Sequence, residues 1–336
     1  MSAEPLVSVL MPAYNCAQFI GAAIESVLKQ TFSGFELLVI DDGSADGTVE
    51  VVHGYALDDP RIRLIVREHL GLVDTLNFGL QQLQGCYLAR LDADDQAFPQ
   101  RLEKQLAILE SHKELVIVGS AYQLINQDGV PIRVDVMPES DTTIRWHSLF
   151  HCPFIHSSVM LRLDTLRANS LEYDAEMKEA EDYKLWSRLL QYGRGYNFPE
   201  PLVAYRVHPN QASQLGQPQL LEHASRVSQN NLIALGVSLP VEQLHPLREW
   251  YYHFPGRFSA EDLPLAETLL NVINRFSLQP GLDATEVKYL RGRWLGRLAR
   301  AALRSGRSGW YSWLARRLTP DDYHSILAYL RGREKL

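Results

Sequence analysis

Over its first 120 residues this chain alternates short β-branched apolar runs with stretches of helical periodicity, and that alternation restricts its fold more than any other feature. Val7–Met11, Phe35–Ile40, Ile62–Val66, Cys86–Leu91 and Val116–Gly119 read as buried strands. Between them Phe19, Ile20, Ala23, Ile24, Val27 and Leu28 recur at helical spacing, as do Leu72, Leu76, Leu80 and Leu83. A repeated strand–helix unit builds a parallel sheet covered by helices on both faces, and such sheets bind ligands at the carboxyl ends of their strands. The residues there are Pro12, Ala13, Tyr14 and Asn15 after the first run, Asp41, Asp42 and Gly43 after the second, and Asp92, Ala93, Asp94 and Asp95 after the fourth. Neither GxGxxG nor GxxxxGK[ST] occurs, so the glycines that a dinucleotide or P-loop site uses to approach phosphate are missing. Carboxylates at these ends point instead to phosphate held through a divalent metal.

After Gly119 the alternation weakens. Tyr122–Asn126 and Pro131–Val136 read as a hairpin across Asp128 and Gly129, His156–Leu161 as a further strand, and Glu181–Gln191 as a helix stopped by Gly193. From Pro218 onward the pattern is helical, so the Gln/Pro/Asn-rich stretch His208–Gln219 marks a boundary between an α/β domain (1–215) and an all-α region (216–336). With 336 residues, 46% of them hydrophobic, one large and one small domain can both bury a core.

Three scattered cysteines, Cys16, Cys86 and Cys152, form no CxxC pair, which fits a reducing, cytoplasmic setting better than a disulfide framework. The first residues lack the pattern of a signal peptide, and no apolar run approaches the roughly 20 residues of a membrane span. A net charge of -7 argues against nucleic acid as a partner. The charge is uneven: residues 282–336 hold twelve Lys/Arg against five Asp/Glu, a local balance of +7. There Val287, Leu290, Trp294, Leu298 and Ala301 form a helical stripe with Arg291, Arg293, Arg297, Arg300 and Arg304 around it. Two readings stand open: a packed helix with a solvated basic face, or peripheral attachment to an anionic membrane surface helped by Trp310 and Trp313.

Taken alone, LDADD at Leu91–Asp95 is as much an acidic helix cap as a ligand site. Carboxylates two apart at an extended strand end can also turn one toward a ribose and the other toward a hard cation. Likewise Glu181 and Asp182 can do no more than complement a helix dipole, or one of them can act as a base. In order and spacing, however, VSVLMPAYN (Val7–Asn15), DDGSADGT (Asp41–Thr48), ARLDADD (Ala89–Asp95) and EAEDYKLWSRL (Glu179–Leu189) resemble the family 2 glycosyltransferases, over roughly residues 5–210.

The resemblance implies a GT-A fold, a doubly wound mixed and mostly parallel sheet with helices on both faces, followed here by the all-α region. It implies an inverting enzyme that moves a sugar from a nucleotide-diphosphate donor, UDP or dTDP, to an acceptor hydroxyl of a glycan or glycolipid, in cell-surface polysaccharide, lipopolysaccharide or glycolipid synthesis at the cytoplasmic face of the membrane. Mn²⁺ or Mg²⁺ is the implied cofactor. Pro12, Ala13, Tyr14, Asn15 and Asp41 fall around the base and Asp92 at the ribose. Asp94 falls at the metal with Asp95 in support, Glu181 at the acceptor, and Asp182 is the catalytic base. YRVHPNQAS (Tyr205–Ser213) resembles the segment that closes such sites, which makes His208 a metal ligand and Arg206 a phosphate partner. His156 is expected near the acceptor. EHLGLVDTLNFGL (Glu68–Leu80) matches the family at Gly71, Asn77 and Gly79 and departs from it at His69, read as an ordinary loop residue. Two other functions compete. A sugar nucleotidyltransferase normally carries a glycine-rich basic loop after its first strand, which PAYN does not supply. A catalytically inactive nucleotide-sugar-binding protein would be expected to lack Asp94 or Asp182.

Overall fold

Fully buried β-branched runs form the first two strands, β1 (Val7–Ala13) and β2 (Phe35–Asp41), and their parallel register pairs Val7 with Phe35 and Ala13 with Asp41. Because the two strands end in step, Tyr14 and Asp42 leave the sheet at the same edge. The computed structural model describes residues 5–209, 211, 217–306 and 308–330. Helices α1 (Ile20–Leu28), α2 (Thr48–Asp58) and α3 (Leu72–Gln82) connect β1, β2, β3 (Ile62–Val66) and β4 (Tyr87–Arg90). In α1 the residues at helical spacing, Ile20, Ala23, Ile24 and Val27, are the ones buried. In α3 Gly79 lies against Leu10 and Ile40, where an added Cβ would come within 2.6 Å of a Leu10 methyl, so the missing side chain lets the helix seat on the sheet.

Next come β5 (Gln96–Ala97), α4 (Arg101–Ser111), the long β6 (Leu115–Ile125), β7 (Pro131–Asp135) and α5 (Asp141–His147). They are followed by a 3₁₀ turn (His156–Ser158), β8 (Met160–Arg162), α6 (Leu163–Ala168), α7 (Glu181–Leu189) and β9 (Arg194–Arg206). The nine-stranded sheet runs β3-β2-β1-β4-β8-β6-β9-β5, with β7 on β6. Its first four strands are parallel; β8 is antiparallel to both β4 and β6, and β9 returns parallel to β6. This is the α/β GT-A arrangement with a mixed sheet, followed by helices.

The structure departs from the sequence reading at several places, first in that Val116–Gly119 and the run beginning at Tyr122 belong to one continuous strand, β6. His156–Leu161 is not one strand: its first three residues form the 3₁₀ turn and only Met160–Arg162 pairs. β9 is a thirteen-residue strand that periodicity does not reveal, because Pro199 and Pro201 interrupt it and its register against β6 shifts near Ser120–Tyr122. The chain also forms two compact units that are not consecutive: Met1–Ser140 with Cys152–Ala224, and Asp141–His151 with Ser225–Leu336. The sequence division after residue 215 falls before α8 (Gln217–Ala234), whereas the units divide within it.

The helical unit contains α5, the later part of α8, α9 (Val241–Tyr252), α10 (Leu263–Ser277), α11 (Ala284–Arg304), α12 (Ser308–Ala315) and α13 (Pro320–Leu330). Asp283 caps α11 by accepting from the backbone N–H groups of Thr285 and Glu286. The stripe Leu290, Trp294, Leu298 and Ala301 is buried in one core with Trp146, Phe150, Leu269, Ile273 and Trp310. Trp310 is 6% exposed, and Trp313 packs against that core while its indole donates to Glu267. The apolar surface of Trp310 is therefore covered by protein and that of Trp313 is covered in part, which favours the packed-helix reading of this stripe.

Candidate active site

At the β1 end Asn15 adopts a left-handed backbone (φ 47°), and its side-chain oxygen accepts from Ala45 N at 2.8 Å while its own N–H donates to Ser44 Oγ. Asn15 therefore ties the β1 loop to the loop after β2, and the two form one side of a cavity of about 640 Å³. Tyr14 stands on its wall, 48% exposed, its ring stacked on His69 with centroids 4.1 Å apart and planes at 19°. His69 is more than an ordinary loop residue. Its Nδ1 lies 2.8 Å from Asp42 Oδ2, and Asp42 also accepts from the N–H groups of Leu70 and Gly71. Asp42, rather than Asp41, lines the cavity. Asp41 is fully buried: one oxygen accepts from Gly43 N and Ser44 N, and Oδ1 has no partner among the described residues.

Asp92, Ala93 and Asp94 also line the cavity. One oxygen from each of Asp92, Asp94 and Asp95 lies within 4.8 Å of the others. Burial opposes the charge of Asp92, but the guanidinium of Arg90, 2.5 Å away, and the Ser157 hydroxyl, 2.8 Å away, hold its carboxyl below the ordinary range. Asp94 is pushed up by burial and by the charge of Asp92, against the relief offered by His208, whose Nε2 is 2.9 Å from Asp94 Oδ2. Asp95 is raised furthest, by burial and both neighbouring carboxylates; its Oδ1 accepts from Arg206 N, and its buried Oδ2 has no partner among the described residues. Three crowded carboxylates, one with an orphaned oxygen, beside an imidazole nitrogen make a donor set that fits a hard or borderline divalent cation. β9 is what brings His208 here. Its end pairs with β5, Ala204 opposite Gln96, immediately after the aspartates.

Arg206 is not available as a phosphate partner. It is buried, its Nε donates to Asp94 O, and its Nη1 donates to the carbonyls of Asn126 and Gln127, so it locks the loop instead. Of the YRVHPNQAS segment, Asn210, Ala212 and Ser213 lie outside the described residues.

Glu181 and Asp182 open α7 and are not on the cavity wall; they belong to a buried polar cluster that meets it through Arg90 and Asp92. Arg90 is fully buried at the end of β4 and carries the positive charge of this cluster. Burial raises Asp182 to about 6, even though it accepts from Tyr183 N and the Cys152 thiol. Burial and the adjacent Asp182 raise Glu181 to about 8. His156 hydrogen bonds Tyr173 OH at 3.0 Å through Nε2 and lies 3.8 Å from Glu181 through Nδ1; burial and Arg90 keep it neutral, well below its ordinary value. Asn77 accounts for Tyr173, since its amide both donates to the carbonyl and accepts from the N–H of that residue. Sequence reading missed Arg90, Ser157, Tyr173 and the His69 stack, and placed Asp42 at the ligand edge without giving it a role. Of the missed residues only Arg90 carried a signal, a cation inside an otherwise apolar strand.

A mixed sheet whose acidic strand ends surround one cavity is the architecture of GT-A glycosyltransferases. The profile of Glycosyl transferase family 2 matches residues 8–160. An uncharacterized glycosyltransferase of Haemophilus influenzae is 32% identical over 264 residues, spanning 74% of this chain and 81% of that protein. The chain thus belongs to glycosyltransferase family 2. Its fold is shared by S. aureus TarS 1–349, solved with UDP-GlcNAc (TM-score 0.57, 18% identity, covering 97% of this chain and 92% of that one). It is shared too by the mannosyltransferase PcManGT of Pyrobaculum calidifontis, solved with GDP-Man and Mn²⁺ (TM-score 0.56, 18% identity, covering 99% and 89%).

Proposed function

We propose that the protein transfers a glycosyl group, with inversion, from a nucleotide-diphosphate donor to an acceptor hydroxyl. The observation that carries this reading is the shared buried arginine: Arg90 pairs with Asp92 on the cavity wall and also feels the charge of Asp182, whose carboxyl titrates at about 6. The donor would lie in the 640 Å³ cavity with its base against Pro12, Ala13, Tyr14 and Asn15 and its ribose at Asp92. A preference for uridine or thymidine is the expectation attached to Asp41. Its Oδ1 has no partner among the described residues but is buried off the cavity wall, so a ring N–H would reach it only if the end of β2 opens toward the donor. The two structural neighbours hold different bases, so this preference rests on residues of this chain.

Asp94 and His208 would hold Mn²⁺ or Mg²⁺, with Asp92 and Asp95 adjacent. When bound, the ion supplies positive charge to the departing diphosphate. Above pH 6 Asp182 is ionised and takes the acceptor proton; the acceptor oxygen bonds to the anomeric carbon as the bond from that carbon to the diphosphate oxygen breaks, its electron pair leaving with the nucleoside diphosphate. One displacement gives inversion. Glu181, protonated up to about pH 8, can donate a hydrogen bond to the acceptor. A glycan or glycolipid acceptor, used in surface-polysaccharide, lipopolysaccharide or glycolipid synthesis at the cytoplasmic face of the membrane, suits the basic helical unit. No helix among the described residues is long and apolar enough to cross a membrane.

The test is a panel of nucleotide sugars with Mn²⁺ or Mg²⁺, read as release of free nucleoside diphosphate, followed by the anomeric configuration of the product. Release from a uridine or thymidine donor with inverted product is expected; retention of configuration would refute the single displacement.

A further inference from the structure

Strand β7 lies at an edge of the sheet: it pairs with β6 through one side, and no strand pairs with its other side among the described residues. Val130, Ile132, Val134 and Val136 recur at every second position, on one face of the extended chain, and each is between 47% and 72% exposed. Edge strands are ordinarily kept from pairing with strangers by lysines, inward charges or a covering element. Here the alternate positions hold Pro131, Arg133 and Asp135, and the two charges cancel, with Arg133 Nε 2.8 Å from Asp135 Oδ1. The run Val130–Val136 therefore carries no net charge that would repel another strand. Pro131, which has no N–H to give, stands at the first position of β7 and leaves the rest of the strand able to pair.

We infer that β7 pairs with the β7 of a second copy of this chain, antiparallel and about a two-fold axis through Val134. The strand selects that occupant because its sequence is its own complement. In this register Val134 lies opposite the partner's Val134, Ile132 opposite the partner's Val136, and Arg133 opposite the partner's Asp135, and the axis repeats the last two pairs. Apolar side chains meet on one face and opposite charges on the other, so both rows of cross-strand pairs are favourable. Centring the axis on Arg133 or on Asp135 instead would set a charge against its own copy, which disfavours those registers. An interface of this kind is isologous and closes at two copies. Its ribbon offers fewer residues than the roughly 20–30 a side of a stable interface, so the dimer should form at micromolar rather than nanomolar concentration.

Sedimentation velocity of the full chain, from about 1 to 300 µM, should show a reversible exchange between one copy and two. Val134→Lys sets two ammonium groups against each other on the axis and should raise the dissociation constant about tenfold or more. Arg133→Asp alone and Asp135→Arg alone each place like charges opposite one another twice in the dimer and should weaken it similarly. The two changes together restore both opposite-charge pairs and should return most of the affinity. Leu57→Lys, at a position of α2 that is 75% exposed, should leave the dimer as it was. A chain that stays single throughout the range overturns the inference. So does a dimer indifferent to the β7 variants, which another face would then hold together, or one that the charge exchange fails to restore. Arg133 and Val134 are exposed and Asp135 partly so. Melting temperatures equal to that of the unaltered chain at about 1 µM, where it is a single copy, establish that each variant is folded, and the charge exchange serves if Val134→Lys is not.

Discussion

Glu181 and Asp182 are adjacent carboxyls with different protonation habits, about 8 and about 6, because burial raises both and the charge of Asp182 adds to the rise at Glu181. Between those values one is a base and the other a donor. Turnover should therefore rise with pH through about 6. Asp182→Asn keeps the shape but cannot accept a proton, so turnover should fall by roughly 10² to 10⁴ while donor affinity, measured by calorimetry, stays put. Near-normal turnover with only a lowered melting temperature would leave Asp182 as a helix-dipole partner. Glu181 makes the opposite kind of prediction. Its folded value lies above its ordinary 4.5, so the stability linked to its proton is complete below the ordinary value and is lost as pH rises through about 8. Glu181→Gln should accordingly melt several degrees above the unaltered protein at pH 9, with the gap closing toward pH 4. At the aspartate cluster, Asp94→Asn removes a charge that offsets a cation. Donor affinity should drop and respond poorly to added Mn²⁺; equal affinity of the unaltered protein with and without chelator would overturn the metal assignment.

At the scale of elements, Asn77 joins α3 to the backbone of Tyr173 through two hydrogen bonds. Asn77→Ala should cost about 1–3 kcal/mol, read by denaturant unfolding, because partly buried backbone groups lose their partner. It should also raise the acceptor KM more than the donor KM, since Tyr173 contacts His156 rather than the donor cavity. Such couplings were only half legible beforehand. The strands β1, β2 and β3 follow from their β-branched runs, and their parallel order makes the acidic ends converge, so Asp92 and Asp94 could be placed from sequence. β9 could not, because two prolines conceal a strand whose partners lie some eighty residues away. Without β9 the nearness of His208 to Asp94 rested on resemblance alone. Arg206 shows the limit of residue type as a guide: a cation beside an acidic site proved to be bound to three backbone carbonyls. His69 gave no sign in advance of its stacking, which depends on Gly43 (φ +77) letting the β2 loop pass against the His69 backbone.

For the whole molecule, the positive balance of residues 282–336 does not imply an amphipathic anchor, since the apolar stripe faces a protein core. Any association with anionic vesicles should be electrostatic and released by salt. Five of the six tryptophans are buried, and Trp313 is partly so. Lipid-borne quenchers should therefore leave tryptophan emission unchanged on vesicle binding; strong quenching would mean that a helix inserts. The interleaving of the two units has a further consequence, for the order in which the chain is made. Trp146, Leu149 and Phe150 are synthesised in the middle of the α/β unit, yet the surfaces that cover them belong to helices after Ser225. On a ribosome adding about 5–20 residues per second, this segment waits uncovered for several seconds while its own neighbours in sequence can already fold. A nascent chain of this protein thus passes through an interval in which a bare tryptophan–phenylalanine loop is its most adhesive surface, a natural point for chaperone attention and for misassembly between neighbouring ribosomes.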